Sequence, residues 1–263
     1  MTKQDDRDSL AAARERNRDR FTMHAGDVTI TKAGGHHNPI FAFTSGPGDW
    51  QRLLSDPVKH WRIGYSARTL AYSWEAADGF PPEVERSLGG AGDPLLADLS
   101  PVVAAPEFKV PLPGGTRPSQ NDVFILARSA AGPVCIMVEG KVEEPFGPTL
   151  GEWKLDASKG KTQRLRFLNR VLRLEVDPPD SVRYQLLHRA ASAVITAEQY
   201  RAVAAVLLIH SFSRERSSWS DYSSFTHLFG VDPVEAAVQR LGGASGVPLY
   251  GVWVVGDQSF LKS

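Results

Sequence analysis

Hydrophobic and polar positions alternate along two short segments near the middle of the chain. The segments span residues 121–128 and 134–143, and Ala131-Gly132 lies between them. Both segments are rich in β-branched and aromatic residues, which favour strands, and the residues between them are turn formers. The pattern therefore predicts an antiparallel β-hairpin.

The second segment of this hairpin has two chemically different faces, because successive side chains of a strand point to opposite sides. One predicted face is wholly aliphatic and consists of Val134, Ile136, Val138 and Val142. The other carries Cys135, Met137, Glu139 and Lys141. Asp122 stands near the start of the neighbouring strand, so simple pairing places its carboxylate on the face of Glu139 and Lys141.

These polar residues suit a metal site with a group that positions water. The carboxylates of Asp122 and Glu139 are ligands for a hard cation such as Mg²⁺, or Mn²⁺, and the Gly140 carbonyl, next to a residue without a Cβ, is a third candidate ligand. The Lys141 ammonium is suited to orienting an attacking water and offsetting developing negative charge. A solvated Glu139–Lys141 pair on an edge strand, with Asp122 as a turn residue, is the structural alternative.

The remaining pattern predicts helices and strands in alternation, and so an α/β (α+β) fold. Its central mixed sheet contains a three-strand antiparallel meander and is flanked by helices. The helices are expected within residues 50–90, including one capped by Ser66, after Glu152, over 181–196 and from Asp232. Further strands are expected over 107–112, 203–209 and 249–255, with loops over 92–105 and 214–224.

Composition and charge narrow the function classes. The 263 residues carry 30 basic and 30 acidic side chains, so net charge gives no argument for nucleic acid. Cys135 is the only cysteine, which excludes an internal disulfide and a multi-cysteine zinc site. No apolar run reaches membrane-spanning length and the N-terminus is charged, so we expect a cytoplasmic protein without a membrane partner.

One predicted helix is markedly basic. Lys161, Arg164, Arg166 and Arg170 fall within ten residues, and Gln163 shares a side with Arg166 and Arg170. Two interpretations stay open: a solvated amphipathic helix, and a helix that contacts the phosphates of a nucleic acid.

Asp122, Glu139-Gly140-Lys141 and the order of elements around them resemble the core of the PD-(D/E)XK nuclease superfamily, the restriction-endonuclease-like fold. In that family an acidic residue opens the second core strand, and a (D/E)-x-K triplet lies on the third. The resemblance covers roughly residues 66–212. It departs from the family pattern at Asn121, where the family has proline.

The resemblance implies magnesium- or manganese-dependent hydrolysis of phosphodiester bonds in DNA or RNA. Asp122 and Glu139 would bind the cation and Lys141 would position the water. Gln163 is implied as an auxiliary residue on the following helix, with Arg166 as an alternative, and Glu75 as a glutamate from the preceding helix. The helix from Arg164 to Arg173 would hold phosphate. A homodimer is compatible with the sequence.

Two other functions remain open. Some members of the family have lost catalysis, so the fold could serve as a nucleic-acid- or protein-binding module. In a third interpretation, the region of Trp50, Trp61 and Trp74 docks a partner, although aromatic residues at helical spacing usually form core.

The sequence also predicts the domain organisation. We expect a flexible charged arm over residues 1–25, a helical region over 26–105 packed on the core, and a nuclease-like α/β core over 106–263.

Overall fold

A computed structural model describes residues 37–156, 158–242 and 246–263; the predicted arm over residues 1–25 lies outside this range. Within the described residues, six strands form one sheet in the order β1-β2-β3-β4-β6-β5. The strands are β1 (Ser100–Val110), β2 (Ser119–Ser129), β3 (Gly132–Lys141), β4 (Ala204–Ser211), β5 (Gln239–Gly242) and β6 (Leu249–Val255).

Helices flank this sheet, and none of those described is long and apolar enough to cross a membrane. The α-helices are α1 (Pro57–His60), α2 (Ser66–Glu75), α3 (Pro82–Gly89), α4 (Leu150–Lys154), α5 (Lys159–Leu172), α6 (Tyr184–Gln199) and α7 (Trp219–Thr226). Short 3₁₀ helices span Pro47–Leu53, Pro94–Leu96, His227–Phe229 and Gln258–Lys262.

The predicted hairpin is confirmed. β2 and β3 pair antiparallel, with Val123 opposite Val138 and a tight turn between Ser129 and Gly132. β1 pairs antiparallel with β2 and completes the meander, whereas β4 runs parallel to β3 and β6 parallel to β4. The sheet is therefore mixed, and the predicted α/β class is correct.

The two faces of β3 enter different cores, as the alternation predicts. Cys135 and Met137 pack with residues of α5 and α6, and burial raises the pKa of the Cys135 thiol to about 12. Ile136 and Val138 pack on the opposite face of the sheet, with residues of α2 and α3. Trp50 and Trp74 are buried in this second core, which places them in packing rather than on a docking surface.

Two N-terminal predictions are wrong. β1 begins at Ser100, inside the expected loop and across the expected domain boundary at residue 105. This strand contains Pro101 and Pro106, and proline usually argues against a strand. It is tolerated here because β1 is an edge strand of the sheet. Ser66 is the first residue of α2 rather than its cap, and its neighbour Tyr65 makes no side-chain capping hydrogen bond.

Two C-terminal predictions are also wrong. The serine-rich segment expected as a loop contains α7. Asp232 starts no helix, and its carboxylate accepts a hydrogen bond from the His227 ring at 2.8 Å. The Gln239 amide meanwhile bonds the Asp232 carbonyl and the Val234 amide, both at 2.8 Å, which holds this segment in a loop ahead of β5.

Candidate active site

Asp122, Glu139 and Lys141 line one cavity of about 860 Å³ at the end of β3. The register of β2 and β3, continued by one pair from Val123–Val138, sets Asp122 opposite Glu139. The sequence-predicted trio is thus brought together on the α6 side of the sheet. The start of α2 also lines the cavity, through Ser66 and Ala67.

Asp122 is held by the backbone of the neighbouring strand. Its Oδ2 accepts a hydrogen bond from the Gly140 amide at 2.8 Å, and its Oδ1 accepts none from the described residues. A Cβ at Gly140 would lie 3.1 Å from the Leu70 side chain, so glycine here allows α2 to approach the sheet closely. Gly140, expected to offer its carbonyl to a cation, contributes an amide that orients Asp122.

The carboxylate of Glu139 is buried and accepts from three side chains. Its Oε1 lies 2.7 Å from Lys141 Nζ and 2.6 Å from Gln185 Nε2. Its Oε2 lies 2.5 Å from Arg189 Nε. Lys141 is also buried, with its ammonium 4.8 Å from the centre of the Phe146 ring. Glu139 is therefore the centre of a fixed polar network inside the protein.

Gln185 and Arg189 are the functional candidates that sequence reasoning missed. They lie four residues apart on α6, so they share one face of the helix. The helix expected over residues 181–196 corresponds to α6, and its place against β3 depends on tertiary packing. The available signal was an arginine, Arg189, between His188 and Ala190 in a helix that is otherwise largely apolar.

Glu107 is a third carboxylate on this cavity and was also missed. It lies in β1, between the pairs Pro106–Val123 and Phe108–Asn121, and so at the level of Asp122. Its φ of 53° is in the left-handed region, which non-glycine residues seldom adopt and which recurs at functional sites. Its Oε2 accepts a hydrogen bond from the Gln120 amide.

The three carboxylates repel one another. Burial, together with the charges of Glu139 and Glu107, raises the pKa of Asp122 well above its usual range. Burial also raises the pKa of Glu107 to about 7. Burial opposes ionisation of Glu139 as well, but the charges of Arg189 and Lys141 outweigh it and lower the pKa of Glu139.

The donor set fits a hard divalent cation that shares its coordination with water or substrate. Among the described residues, no group of three or more His, Cys, Asp or Glu side chains is arranged to hold a metal ion alone. Mg²⁺, however, commonly binds one or two carboxylates and completes its shell with waters and phosphate oxygens. Asp122 Oδ1 accepts no hydrogen bond from the described residues, and Glu139 and Glu107 lie near enough to repel its charge. Both features suit the binding of a cation that completes its coordination with water or phosphate oxygens.

Glu75 does not join the site. It lies at the far end of α2 and is buried on the opposite face of the sheet. Its oxygens accept hydrogen bonds from Thr44 Oγ1 at 2.8 Å, from Trp50 Nε1 at 2.9 Å and from the backbone amide of Asn38 at 3.2 Å. The expected catalytic glutamate is thus a buried hydrogen-bond acceptor that connects the segment from Asn38 to Trp50 with α2.

The predicted residues of the basic helix, now α5, also lie elsewhere. Gln163, Arg166 and Arg170 line a separate shallow cavity on the exposed side of α5. Arg164 is buried, and its guanidinium donates to the carbonyls of Pro113 and Leu112 at 2.9 and 3.1 Å. Lys161 donates to the Trp153 carbonyl and pairs with Asp156. In the cavity itself, the glutamine that contacts Glu139 is Gln185 from α6.

Comparison with known proteins gives a family but no described relative. A family model described as a domain of unknown function, DUF6946, matches residues 43–258. This span contains every strand of the sheet and all the residues that line the cavity of Asp122, Glu139 and Lys141, which we call the carboxylate cavity. No curated protein and no solved structure matches the chain.

Proposed function

The chain belongs to the DUF6946 family, and we propose that it is a metal-dependent phosphodiester hydrolase acting on nucleic acid. One observation carries the proposal: Asp122, Glu139 and Lys141 converge from two paired strands on one cavity. Two carboxylates beside a lysine are suited to the hydrolysis of a charged ester, because the substrate and its transition state carry negative charge that needs a cation.

Asp122 and Glu139 would hold Mg²⁺ or Mn²⁺, with Glu107 near enough to add negative charge. When bound, such a cation acts as a Lewis acid on the phosphoryl oxygens and offsets the charge that develops there. The Gly140 amide fixes the orientation of Asp122, and Arg189 fixes that of Glu139. The chain thus places its carboxylates before any ligand arrives, which limits the reorganisation needed for reaction.

Lys141 has the role of orienting water and neutralising charge. Its ammonium lies 2.7 Å from Glu139 Oε1 and 3.4 Å from Gln185 Oε1, so two acceptors define its position. An ammonium has three donors, so one stays available to a water or a phosphoryl oxygen. The aromatic face of Phe146 beneath it supports the same position without competing as a hydrogen-bond partner.

A binding module without hydrolysis is the second candidate, and one observation favours it. All three side chains around Glu139 donate to its carboxylate, so the network is complete without a cation. In that case the cavity would recognise an anion through Lys141 and Arg189 and leave it unchanged.

The experiment is a cleavage assay with purified wild-type protein and its Lys141→Ala variant. Plasmid DNA, single-stranded DNA and RNA are each incubated with Mg²⁺, with Mn²⁺ and with EDTA. The proposal predicts metal-dependent cleavage of at least one substrate by the wild type, and loss of that cleavage in the variant. Wild-type protein that binds a substrate but never cleaves it would favour the binding module. Equal cleavage by both proteins would reject the assigned site.

A further inference from the structure

A second cavity of about 390 Å³ adjoins the carboxylate cavity. Gly147, Gln185 and Arg189 line both, so the two cavities share a border at the N-terminal part of α6 and at Gly147. We refer to the second cavity as the arginine cavity, after Arg117, Arg164 and Arg189, which line it.

The charge of the arginine cavity is opposite to that of its neighbour. Its guanidinium groups come from the loop before β2, from α5 and from α6, and none of the described residues that line it bears a carboxyl group. Arg164 and Arg189 are buried and held by hydrogen bonds to backbone or side chains. Arg117 is exposed and forms no ion pair with any described residue. Such a set recognises a dianionic or monoanionic oxygen ligand.

The wall of the arginine cavity is rigid. Trp153 and Tyr184 stack with ring centres 4.0 Å apart and planes 12° apart, and Lys161 lies over the Trp153 ring. His188 Nδ1 lies 2.8 Å from Ser119 Oγ, which also accepts from Arg189. Burial, with the charges of Arg189 and Arg164, lowers the pKa of His188 well below its usual range. The positive charge of this cavity therefore comes from its arginines rather than from His188.

A chain of hydrogen bonds joins the two cavities. It runs from Glu139 in the carboxylate cavity through Arg189 to Ser119 and His188 in the arginine cavity. Arg189 therefore has one donor on the carboxylate that would hold the cation and another directed at the second cavity. A ligand with two anionic groups in succession would span both.

We infer that the arginine cavity binds a phosphate group of a polynucleotide, next to the phosphodiester that reacts in the carboxylate cavity. The inference rests on the proposed function and adds to it a position for the substrate chain. Three arginines line this cavity and none of its described lining residues carries a carboxyl group, which suits a phosphate. Because the cavity borders the carboxylate cavity, a phosphate of the same nucleic-acid strand is the favoured ligand. An unattached phosphate has the same recognition chemistry, so the source must be tested.

The test measures binding of a short fluorescent single-stranded oligonucleotide in EDTA, with DNA and RNA versions, and calorimetric binding of inorganic phosphate. The variants are Arg117→Glu and, as a matched charge reversal on an exposed arginine of β2, Arg128→Glu. We expect Arg117→Glu to weaken oligonucleotide binding by about tenfold or more, as loss of a charged hydrogen bond does. The slope of log affinity against log salt should become shallower by about one. Arg128→Glu should bind like the wild type.

Equal weakening by the two charge reversals would overturn the inference, because it would indicate general electrostatic attraction. So would a wild type that binds neither probe, or one that binds inorganic phosphate through Arg117 but no oligonucleotide. Binding without metal is independent of hydrolysis. A wild type that binds the oligonucleotide through Arg117 yet cleaves nothing with Mg²⁺ or Mn²⁺ would uphold the phosphate site and reject only the hydrolase.

Discussion

Glu139 and Arg189 form a buried ion pair between β3 and α6, with Arg189 Nε 2.5 Å from Glu139 Oε2. The pair joins the strand that carries Glu139 and Lys141 to the helix that supplies Gln185. Because both partners are buried, breaking the pair would leave a charge inside the protein with fewer partners. The relative position of sheet and helix at the cavity therefore depends on this contact.

Arg189→Met should destabilise the fold, because it leaves the Glu139 charge buried with fewer donors. Removing one partner of a buried pair typically costs about 3–5 kcal/mol. Urea unfolding monitored by tryptophan fluorescence measures the loss. Arg189→Lys should lose less stability than Arg189→Met, since it keeps a positively charged donor beside Glu139. Arg128→Met, at an exposed position, is the control, and a loss in Arg189→Met no larger than in this control would contradict the account.

Gln185→Ala should slow cleavage by about tenfold or more, because Gln185 Nε2 donates to the Glu139 oxygen that Lys141 also contacts. Gln163→Ala is the matched control: the same substitution on the exposed side of α5, away from the cavity. Rates at saturating substrate, measured over a range of Mg²⁺ concentrations, separate a weaker metal site from a slower reaction. If Gln163→Ala slowed cleavage and Gln185→Ala did not, the auxiliary residue would be the one first expected from the sequence.

Glu107→Gln should flatten the dependence of stability on pH. The pKa of Glu107 is raised from 4.5 to about 7, so between those pH values the folded protein holds a proton that the unfolded chain has released. Stability therefore falls as pH rises through this window, by roughly 2–3 kcal/mol from this residue. Urea unfolding from pH 4.5 to 7 in EDTA measures the slope. Glu198→Gln, at an exposed position of α6, should keep the wild-type slope; an unchanged slope in Glu107→Gln would exclude the assignment.

Glu75→Gln separates structure from catalysis. One of the donors around Glu75, which include Thr44 and Trp50, would face an amide NH₂ group and lose its acceptor. We expect a loss of about 1–3 kcal/mol in unfolding free energy. Cleavage per folded molecule, measured at a temperature where the variant is fully folded, should stay at the wild-type rate. Lost cleavage in a fully folded variant would return Glu75 to the catalytic set.

The local sequence pattern was sufficient to predict the β2–β3 hairpin and the grouping of Asp122, Glu139 and Lys141 on one face. The period-two alternation of β3 determines which side chains share a face, so Glu139 and Lys141 were placed correctly without knowledge of the rest. The doubly buried strand β4 was also predicted, since an unbroken apolar run implies cover on both faces. These features depend on residues close together in the chain.

Features that depend on distant residues were not predictable in the same way. Arg189 is 50 residues from Glu139, and only the packing of α6 on the sheet brings them together. Glu107 was placed in a strand but without a role, because its approach to Asp122 follows from the β1–β2 register. Similarly, the basic stripe of α5 gave no sign of which residues turn inward, and Arg164 proved to be buried.

The most direct test of the central claim is cleavage by Asp122→Asn. This change keeps the shape of the side chain and the acceptor for the Gly140 amide but removes the charge that would hold a cation. Asp98→Asn, at an exposed position with a φ of 53° that asparagine tolerates, is the isosteric control. With Mg²⁺ or Mn²⁺, the account predicts cleavage by the wild type and by Asp98→Asn, and no cleavage by a fully folded Asp122→Asn. Cleavage by Asp122→Asn at the wild-type rate would contradict it.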